Sequence, residues 1–377
     1  ALAWYKAWLI VGAVGLYAAL AHQPDRLRRY VAFGGLGAAA AALTLYLLLS
    51  HDWAADPLEI AALNRLGATL TRLLPGIDLR PINLNILGGM QALLLPVYVP
   101  LLVVPHRAPP ASVLHRHRGT LTAAAALGLA LTLLGFLLTA SRGAWLAVTA
   151  VGALWLVWRA LTALPWRRRL ILMAALTLTG GLIAAAGLIN AARSLPAVAE
   201  AVRPPLQNRL HLVRTGALLA RDHPFTGIGL GTFMMQYSTY SLLIHVGYIG
   251  HSHNLLLDLA IEQGLLGALA CTALVVTAVI WGLRRRRHAE REDPARIPAL
   301  EAALASLAVV IAHGMIDDVI YGSNALLLLL VPFGLLLSAG RDRPTAPRPR
   351  SSVGPAGVAL GPAGVALGPA GVVVGPA

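Results

Sequence analysis

Three arginines within one stretch of the chain could bind a phosphorylated ligand. Arg209, Arg214 and Arg221 are five and seven residues apart, so in a helix Arg214 and Arg221 share a face and Arg209 lies obliquely to it. Guanidinium groups pair bidentately with phosphate oxygens, and this stretch offers few acidic side chains to neutralise them. We favour an anion clamp over the alternative, an interfacial helix whose arginines reach out to water.

Two histidines follow in the segment His251-Ser252-His253-Asn254. Histidine exchanges a proton near neutral pH, which suits activation of a hydroxyl nucleophile, although a single histidine at such a position is more often structural. The His-x-His spacing also suits a metal, but only Asp258 and Glu262 lie nearby to complete its ligands. We therefore predict no metal and no other cofactor.

Four carboxylates lie within or next to apolar segments. Asp258 and Glu262 are four residues apart in one segment, and Asp317 and Asp318 follow another. Charges are costly in a bilayer, so such residues suggest function and require partners. The candidate partners are Arg142, the clamp arginines and the histidines. A proton path in a transporter would show the same features.

The glycine-rich segment 227–231 resembles a phosphate-binding loop only superficially. No strand precedes it and no Gly-Lys-Ser/Thr sequence follows, which argues against a nucleotide site. We predict a turn at the membrane interface.

The elements that position these residues are membrane helices. Hydrophobic residues make up 57% of the 377 positions and charged residues 12%. The apolar residues form runs of about 20, the length of a membrane-crossing helix, and not the short alternating segments of a membrane barrel. The sequence therefore predicts an all-α integral membrane protein with about nine spans: 4–21, 30–50, 83–104, 119–140, 143–161, 169–189, 254–283, 298–316 and 323–339.

One boundary between spans depends on a single charge. The stretch 121–158 is too long for one crossing and contains only Arg142, so Ser141-Arg142-Gly143 is predicted to divide it into a helical hairpin. Arg142 then lies at an interface or lines a wet cavity.

Arginine placement orients the chain. The links 22–29, 105–118, 158–169 and 284–297 and the segment 341–350 hold 20 of the 30 basic residues, and all five fall on one side of the membrane. The positive-inside rule makes that side cytoplasmic, which explains the net charge of +14 without nucleic acid. Residue 1 then lies outside, which suggests further spans upstream.

Two long segments fall on the outer side, and a tail follows the last span. Residues 51–82 carry leucines at helical spacing and predict an amphipathic interfacial helix, while 190–253 form the largest loop. Residues 1–340 thus form one transmembrane domain. Residues 341–377 are basic and then repeat Gly-Pro-Ala-Gly-Val-Ala-Leu, which predicts a disordered cytoplasmic tail.

Several motifs resemble the O-antigen ligase and O-antigen polymerase superfamily of membrane glycosyltransferases. His253-Asn254 is followed after nine residues by Gly264-Leu265-Leu266-Gly267, which resembles the family's central motif. The matches appear in the family's order between about 80 and 340, although Val213 stands where the family usually has an aromatic residue. The other matching segments are Arg209 through Arg214 to the run 222–233, Ser141-Arg142-Gly143-Ala144-Trp145, Asn83-Leu84-Asn85-Ile86-Leu87-Gly88-Gly89 and His313-Gly314-Met315-Ile316-Asp317.

The resemblance implies an activity. The protein would move a saccharide from an undecaprenyl-diphosphate donor to a hydroxyl of a glycan or lipid A-core acceptor, without a metal, in the bacterial inner membrane with the active site facing the periplasm. Arg142 and Arg209, with Arg214 as a further candidate, would bind the diphosphate, and His253 would act as base on the acceptor hydroxyl or orient it. The further residues assigned to substrate binding are Arg221, His251, Asn254, Asn83, Asn85, Asp258 and Asp317.

Three alternatives stay open from the sequence. A transporter or flippase for a lipid-linked or anionic substrate would use the buried carboxylates, but it predicts an internal repeat, and the sequence shows none. A non-catalytic scaffold leaves the outer arginines unexplained. Peptidoglycan-polymerising glycosyltransferases are similar in class but fit the motifs less well.

Overall fold

The structure, a computed structural model, describes residues 2–23, 25–74, 79–194, 196–240, 250–318 and 320–341. For residues 2, 183–185, 187–189, 191–194 and 196–206 it describes the backbone alone. The predicted tail beyond residue 341 lies outside the described residues. The same holds for His245 and for the side chains of Arg193, Glu200 and Arg203, which are polar residues of the predicted loop 190–253.

Every regular element in the described residues is helical. Four short 3-10 helices cover Leu95–Val97, Leu161–Ala163, Pro294–Arg296 and Asn324–Leu328. The α-helices are α1 (Leu2–Ala21), α2 (Arg26–Ser50), α3 (Ala61–Thr71), α4 (Leu84–Leu94), α5 (Tyr98–Arg107), α6 (Val113–Arg116), α7 (Arg118–Leu138), α8 (Arg142–Ala160), α9 (Trp166–Ser194), α10 (Pro196–Asp222), α11 (Phe233–Tyr240), α12 (Leu255–Glu292), α13 (Ile297–Gly314) and α14 (Val331–Gly340).

The helices confirm an all-α membrane protein. Seven segments of the described residues are long and apolar enough to cross a bilayer, and they coincide with predicted spans one to five, seven and eight. The predicted sixth span falls on α9, and the predicted ninth falls on the shorter apolar segment Asn324–Gly340.

The hairpin predicted around Arg142 is present. Helix α7 ends at Leu138 and α8 begins at Arg142, with Ala140 in the left-handed region (φ 48°) between them. This turn separates two spans of normal length.

Close packing of α2, α5 and α7 depends on small residues and on buried hydrogen bonds. The Tyr98 hydroxyl donates to the carbonyl of Gly37 at 2.6 Å and lies 2.8 Å from the Thr132 hydroxyl. Gly128 and Gly37 both lie against the Tyr98 ring, where a larger side chain would collide. These contacts hold three helices of the bundle together.

The two long segments that were predicted on the outer side, 51–82 and 190–253, are not simple loops. In the first, the amphipathic helix is confined to α3, and Gly67 of α3 packs against the ring of Trp53. In the second, most of the predicted loop 190–253 is helical, because α9 extends to Ser194 and α10 runs for 27 residues. Arg209 is therefore carried by a long helix.

Candidate functional site

A polar cavity of about 620 Å³ lies at the ends of several membrane helices. It opens between the turn that joins α7 to α8, the start of α4, the segment 56–60 and α10. Two guanidinium groups and several carboxyl and amide groups face it. Among its lining residues are Arg142, Arg209, Asp317, Asn83, Asn85, Glu59, Asp56 and His51.

Arg142 is the first residue of α8, so the positive end of that helix dipole faces the cavity as well. The guanidinium forms an ion pair with Glu59, and both side chains are exposed. An exposed pair of this kind stabilises the fold by less than about 1 kcal/mol, so a ligand could displace it readily.

Arg209 reaches the same cavity from α10. Its guanidinium donates a hydrogen bond to the carbonyl of Ile316, the residue before Asp317. Arg142 and Arg209 are 67 positions apart in the sequence, and both line this cavity. The remaining donors of Arg209 can pair with an anion.

His253 and Asp317 form the imidazole–carboxylate pair of the site. Nδ1 of His253 lies 2.7 Å from an oxygen of Asp317, and the two side chains are 34% and 8% exposed. Burial opposes ionisation of Asp317, but the hydrogen bond and charge of His253 outweigh it and lower the pKa of Asp317. His253 also has a positive φ of 61°, which is unusual for a non-glycine residue.

His251 contacts both the backbone and the ring of His253. The backbone N–H of His253 donates to Nδ1 of His251 at 3.3 Å, and the ring centroids are 4.5 Å apart. Burial, and then the charge of His253, lowers the pKa of His251 to about 4. His251 is therefore neutral near pH 7.

The three asparagines assigned from the sequence lie at helix starts. Asn254 caps α12 by accepting from the N–H of Leu257 at 3.1 Å, and Asn83 caps α4 in the same way. Asn85 is exposed and lines the cavity. Asn254 thus orients the helix that follows His253, while Asn83 and Asn85 form part of the cavity wall.

Two of the three clamp arginines do not line the cavity. Arg214 is exposed on α10, and Arg221 is exposed at its end beside Asp222, at 3.7 Å. Neither side chain is among the residues that line the cavity. The convergent guanidinium groups are therefore those of Arg142 and Arg209.

The partners predicted for two buried carboxylates were wrong. Glu262 forms a 2.5 Å ion pair with Lys6 of α1 and accepts from the Tyr321 hydroxyl at 3.0 Å. Asp258 is buried and accepts from the backbone N–H of Ser252 at 2.8 Å. Among the described residues, no arginine or histidine side chain bonds to either carboxylate; the partners are Lys6 of α1, Tyr321 and the backbone of Ser252.

The glycine-rich segment docks on a break in α12. Gly264 has φ 73° and ψ 177°, which interrupts the helix and leaves backbone groups without helical partners. The N–H groups of Ile228 and Gly229 donate to the carbonyls of Ile261 and Glu262 at 2.8 and 3.1 Å. The N–H of Leu265 donates to the carbonyl of Pro224 at 2.7 Å. The glycine-rich segment, which follows α10, is therefore hydrogen-bonded to α12 at its break.

The structure adds three residues that the sequence-based assignment missed. Glu59, Asp56 and His51 line the cavity, although they precede the nearest motif residue by more than twenty positions. Their types alone carried no signal, because isolated polar residues are expected in any exposed segment.

Three of the site residues could together hold a metal ion. The donor atoms of His251, His253 and Asp317 lie within 4.8 Å of one another, and two imidazoles with a carboxylate suit a divalent transition metal. The sequence offered only Asp258 and Glu262 as further ligands beside the two histidines, whereas in the structure the third donor is Asp317. The positive charges of Lys6 and Arg209 act at His251 and oppose a further cation. Metal-free chemistry thus stays a prediction.

Fold and site define a class: a multi-pass membrane protein with a cavity lined by two guanidinium groups and by a carboxylate, Asp317, that pairs with His253. Residues 127–272 match the family model described as O-antigen ligase. A stretch of 155 residues is 32% identical to the exopolysaccharide production protein ExoQ of Rhizobium meliloti (strain 1021) and covers 40% of this chain and 35% of that relative. Both matches confirm the predicted resemblance to the O-antigen ligase and polymerase superfamily.

The family match covers only part of the site. Arg142, Arg209 and His253 lie within residues 127–272, whereas Asn83, Asn85 and Asp317 lie outside them. The cavity therefore joins the matched segment to residues from both flanking parts of the chain.

Proposed function

We propose that this protein is a membrane glycosyltransferase of the O-antigen ligase or polymerase type. It transfers a saccharide from an undecaprenyl-diphosphate donor to an acceptor hydroxyl on a glycan or lipid A core, without a metal. The observation that supports this most is that Arg142, Arg209 and Asp317, the partner of His253, line one cavity at the ends of membrane helices.

The two guanidinium groups bind the donor diphosphate. Arg209 keeps donors available beside its bond to Ile316, and Arg142 exchanges Glu59 for a phosphate oxygen. As the bond between the anomeric carbon and the diphosphate breaks, negative charge grows on the leaving oxygen. Fixed cations stabilise that charge more in the transition state than in the ground state, which speeds the reaction.

His253 takes the proton of the acceptor hydroxyl. With the Nδ1 proton directed at Asp317, Nε2 is the basic nitrogen, the arrangement that a carboxylate imposes on a catalytic imidazole. The hydroxyl oxygen bonds to the anomeric carbon, its proton passes to Nε2, and the electron pair of the broken bond leaves on the diphosphate. General base catalysis of this kind contributes about 10²- to 10⁴-fold.

The cavity faces the exterior of the inner membrane in this proposal. Helix α2 begins at the arginine-rich segment 26–29 and ends beside His51 of the cavity. Helix α12 runs the other way, from the residue after Asn254 to the basic segment 284–287. The site and the basic segments are thus at opposite helix ends, as the positive-inside rule requires for an outward-facing site.

A lipid-linked-substrate transporter or flippase is the second candidate. The interruption of α12 at Gly264 and the buried Lys6–Glu262 pair favour it, because broken helices and intramembrane ion pairs are common in transporters. A flippase would move the donor across the bilayer without forming a new glycosidic bond.

The test is transfer by the purified protein in proteoliposomes. We expect a fluorescent undecaprenyl-diphosphate disaccharide, offered with lipid A core or with unlabelled donor, to yield an elongated product identified by mass spectrometry. Replacing His253 with Ala should reduce product formation at least about 100-fold, because the base is lost. The exposed His223, outside the cavity, gives the control His223→Ala, which should keep full activity.

The outcomes separate the alternatives. Donor movement without a new product would support the flippase and contradict transfer, and full activity of the His253 variant would remove that residue from the mechanism. A chelator should leave the rate unchanged. Loss of the rate that one metal restores would instead make His251, His253 and Asp317 a metal centre.

A further inference from the structure

We propose that Glu59 recognises the saccharide of the donor. Its carboxylate pairs with Arg142 in this structure, and when the diphosphate takes that place at Arg142, the carboxylate accepts a hydrogen bond from a hydroxyl of the attached sugar. The inference rests on the proposed function and deepens it, because it adds a specificity-determining residue to the same cavity. Glu59 lines that cavity within the segment 56–60, directly before α3.

The backbone that carries Glu59 is held by contacts on both sides of it. The N–H of Leu58 donates to the side-chain oxygen of Asn64 at 3.0 Å, and the amide nitrogen of Asn64 donates to the carbonyl of Trp53 at 3.2 Å. The indole N–H of Trp53 donates in turn to the hydroxyl of Thr71 at 2.9 Å. Leu58 itself is buried. None of these contacts involves the Glu59 side chain, so the position of its backbone does not depend on the ion pair.

The side chain of Glu59, in contrast, can leave Arg142 at little cost. The side chain of Glu59 is 78% exposed and that of Arg142 is 76% exposed. Among the described residues, Arg142 is the hydrogen-bond partner of the carboxylate. An exposed ion pair of this kind shifts an equilibrium by at most about fivefold. The carboxylate can therefore turn away from Arg142 while its backbone stays in the cavity wall.

The place that the Glu59 carboxylate occupies is next to the position of the donor's diphosphate-linked sugar. A phosphate oxygen that binds Arg142 takes the position of this carboxylate, because both are anionic oxygen acceptors for the same guanidinium. The anomeric carbon of the donor is joined to that diphosphate through a single oxygen. Since the backbone of Glu59 stays in the wall, the displaced carboxylate remains beside the sugar ring.

Charge decides which group of the donor Glu59 can bind. An ionised carboxylate only accepts hydrogen bonds, so the diphosphate repels it, whereas a sugar hydroxyl donates to it. A hydrogen bond to a charged acceptor is roughly twice as strong as one between neutral groups. Arg142 and Arg209 are donors only and pair with the diphosphate. The cavity is thus divided by charge, with guanidinium groups for the diphosphate and the Glu59 carboxylate for the saccharide.

The exchange of partners at Glu59 favours the donor over the product that leaves. The lipid diphosphate that remains after transfer carries no sugar, so it offers Glu59 no sugar hydroxyl. Glu59 then competes with that diphosphate for Arg142 and gains no bond to the ligand. We expect Glu59 to increase the affinity for the saccharide-bearing donor relative to that for the bare lipid diphosphate.

The test compares the binding of two ligands to the full chain in nanodiscs at pH 7. One is an undecaprenyl-diphosphate disaccharide in which a methylene group replaces the anomeric oxygen, so that no transfer occurs; the other is undecaprenyl diphosphate. Both ligands displace Glu59 from Arg142, so the cost of breaking that pair cancels in the ratio of their dissociation constants. We expect Glu59→Ala to reduce the preference for the saccharide-bearing ligand about tenfold, and Glu59→Gln, which keeps an uncharged acceptor, about threefold.

Two further variants make the result specific. Asp56→Ala removes another exposed carboxylate from the same cavity wall and should leave the preference unchanged, because Asp56 forms no ion pair with Arg142 in the described structure. An unchanged preference in Glu59→Ala, or an equal loss in Asp56→Ala, would overturn the role of Glu59. Arg142→Gln tests the proposed function separately and should weaken the binding of both ligands at least about tenfold. If neither ligand binds more weakly, the diphosphate site of the proposed function fails, whatever the preference of the Glu59 variants.

Discussion

Arg142 and Arg209 show how the candidate site combines residues that are distant in sequence. Arg142 begins α8 and Arg209 lies within α10, yet both line the cavity that Asp317 also lines. Each guanidinium has a protein partner that leaves donors for an anion, namely Glu59 for Arg142 and the Ile316 carbonyl for Arg209. The chemistry assigned to them depends on the flat, forked shape of the group as well as on its charge.

Replacing Arg209 with Lys should therefore weaken donor binding. Lysine keeps the positive charge but loses the bidentate contact to phosphate, so we expect the KM for the undecaprenyl-diphosphate disaccharide to rise about tenfold. Steady-state transfer kinetics measure this. Arg65→Lys, a matched change at an exposed position of α3 outside the cavity, should leave KM unaltered. An unchanged KM in the Arg209 variant would argue against a diphosphate clamp.

His251 should make the stability of the protein depend on pH. Its pKa is about 4, below its ordinary 6.5, so the unfolded chain binds the proton first as the pH falls. The neutral imidazole contributes stability fully above pH 6.5, and this contribution, at most about 3 kcal/mol, is lost between pH 6.5 and 4. Thermal unfolding across that range should show a shallower dependence in His251→Gln than in wild type. Equal slopes would show that His251 is not buried as a neutral group.

The sequence could predict the residues of this site but not all of their contacts. His253, Arg142, Arg209 and Asp317 stand in motifs with recognisable spacing; the structure brings Arg142, Arg209 and Asp317 to one cavity, and His253 contacts Asp317 without itself lining that cavity. The role of Arg214 in a clamp followed from helical spacing alone, which says nothing about which face of α10 meets the rest of the protein. Glu59 pairs with Arg142 across 83 positions, a separation that no local pattern encodes.

At the scale of elements, the break in α12 is the point where the glycine-rich segment is hydrogen-bonded to that helix. Asp258 and Glu262 lie in the part of α12 before Gly264. The segment 224–229 forms hydrogen bonds with the backbone groups that the break exposes. The length of the apolar run predicted a single span here. The span is present despite the break, because the helix resumes after one non-helical residue. The break itself could not be predicted, since a glycine in an apolar run is compatible with a continuous helix.

Gly264→Ala should disrupt this junction. The residue has a φ of 73°, and an added Cβ would collide with the carbonyl of Phe225. We expect a loss of at least about 2 kcal/mol in the free energy of unfolding together with reduced saccharide transfer. The control is Gly152→Ala in α8, where an added Cβ meets open space and should be neutral or slightly stabilising. Equal unfolding temperatures for the two variants would show that the junction is not rigid.

At the scale of the whole molecule, hydropathy predicted most of the architecture. Runs of apolar residues predicted the helices because a bilayer requires every backbone group to be satisfied within the helix. The same rule does not apply outside the hydrocarbon, and there the prediction was least complete, since much of the segment 190–253 is helical. Packing of helices across the bundle, such as Tyr98 against Gly37, depends on contacts that composition does not reveal.

The orientation of the molecule gives the site its proposed setting. Basic residues gather at one set of helix ends, and the cavity lies at the other. The donor's lipid tail would then lie among the helices while its diphosphate reaches the arginines at the outer interface. This arrangement requires that the diphosphate and the attached saccharide of the donor occupy the cavity, and that the lipid tail stay outside it.

The most direct measurement is a cryo-electron microscopy map of the full chain in nanodiscs with bound undecaprenyl-diphosphate disaccharide. The account predicts the diphosphate between Arg142 and Arg209 with Glu59 displaced, and the anomeric carbon on the side of His253. A diphosphate bound at the basic segments 26–29 or 284–287, with the cavity holding no part of the donor, would contradict it.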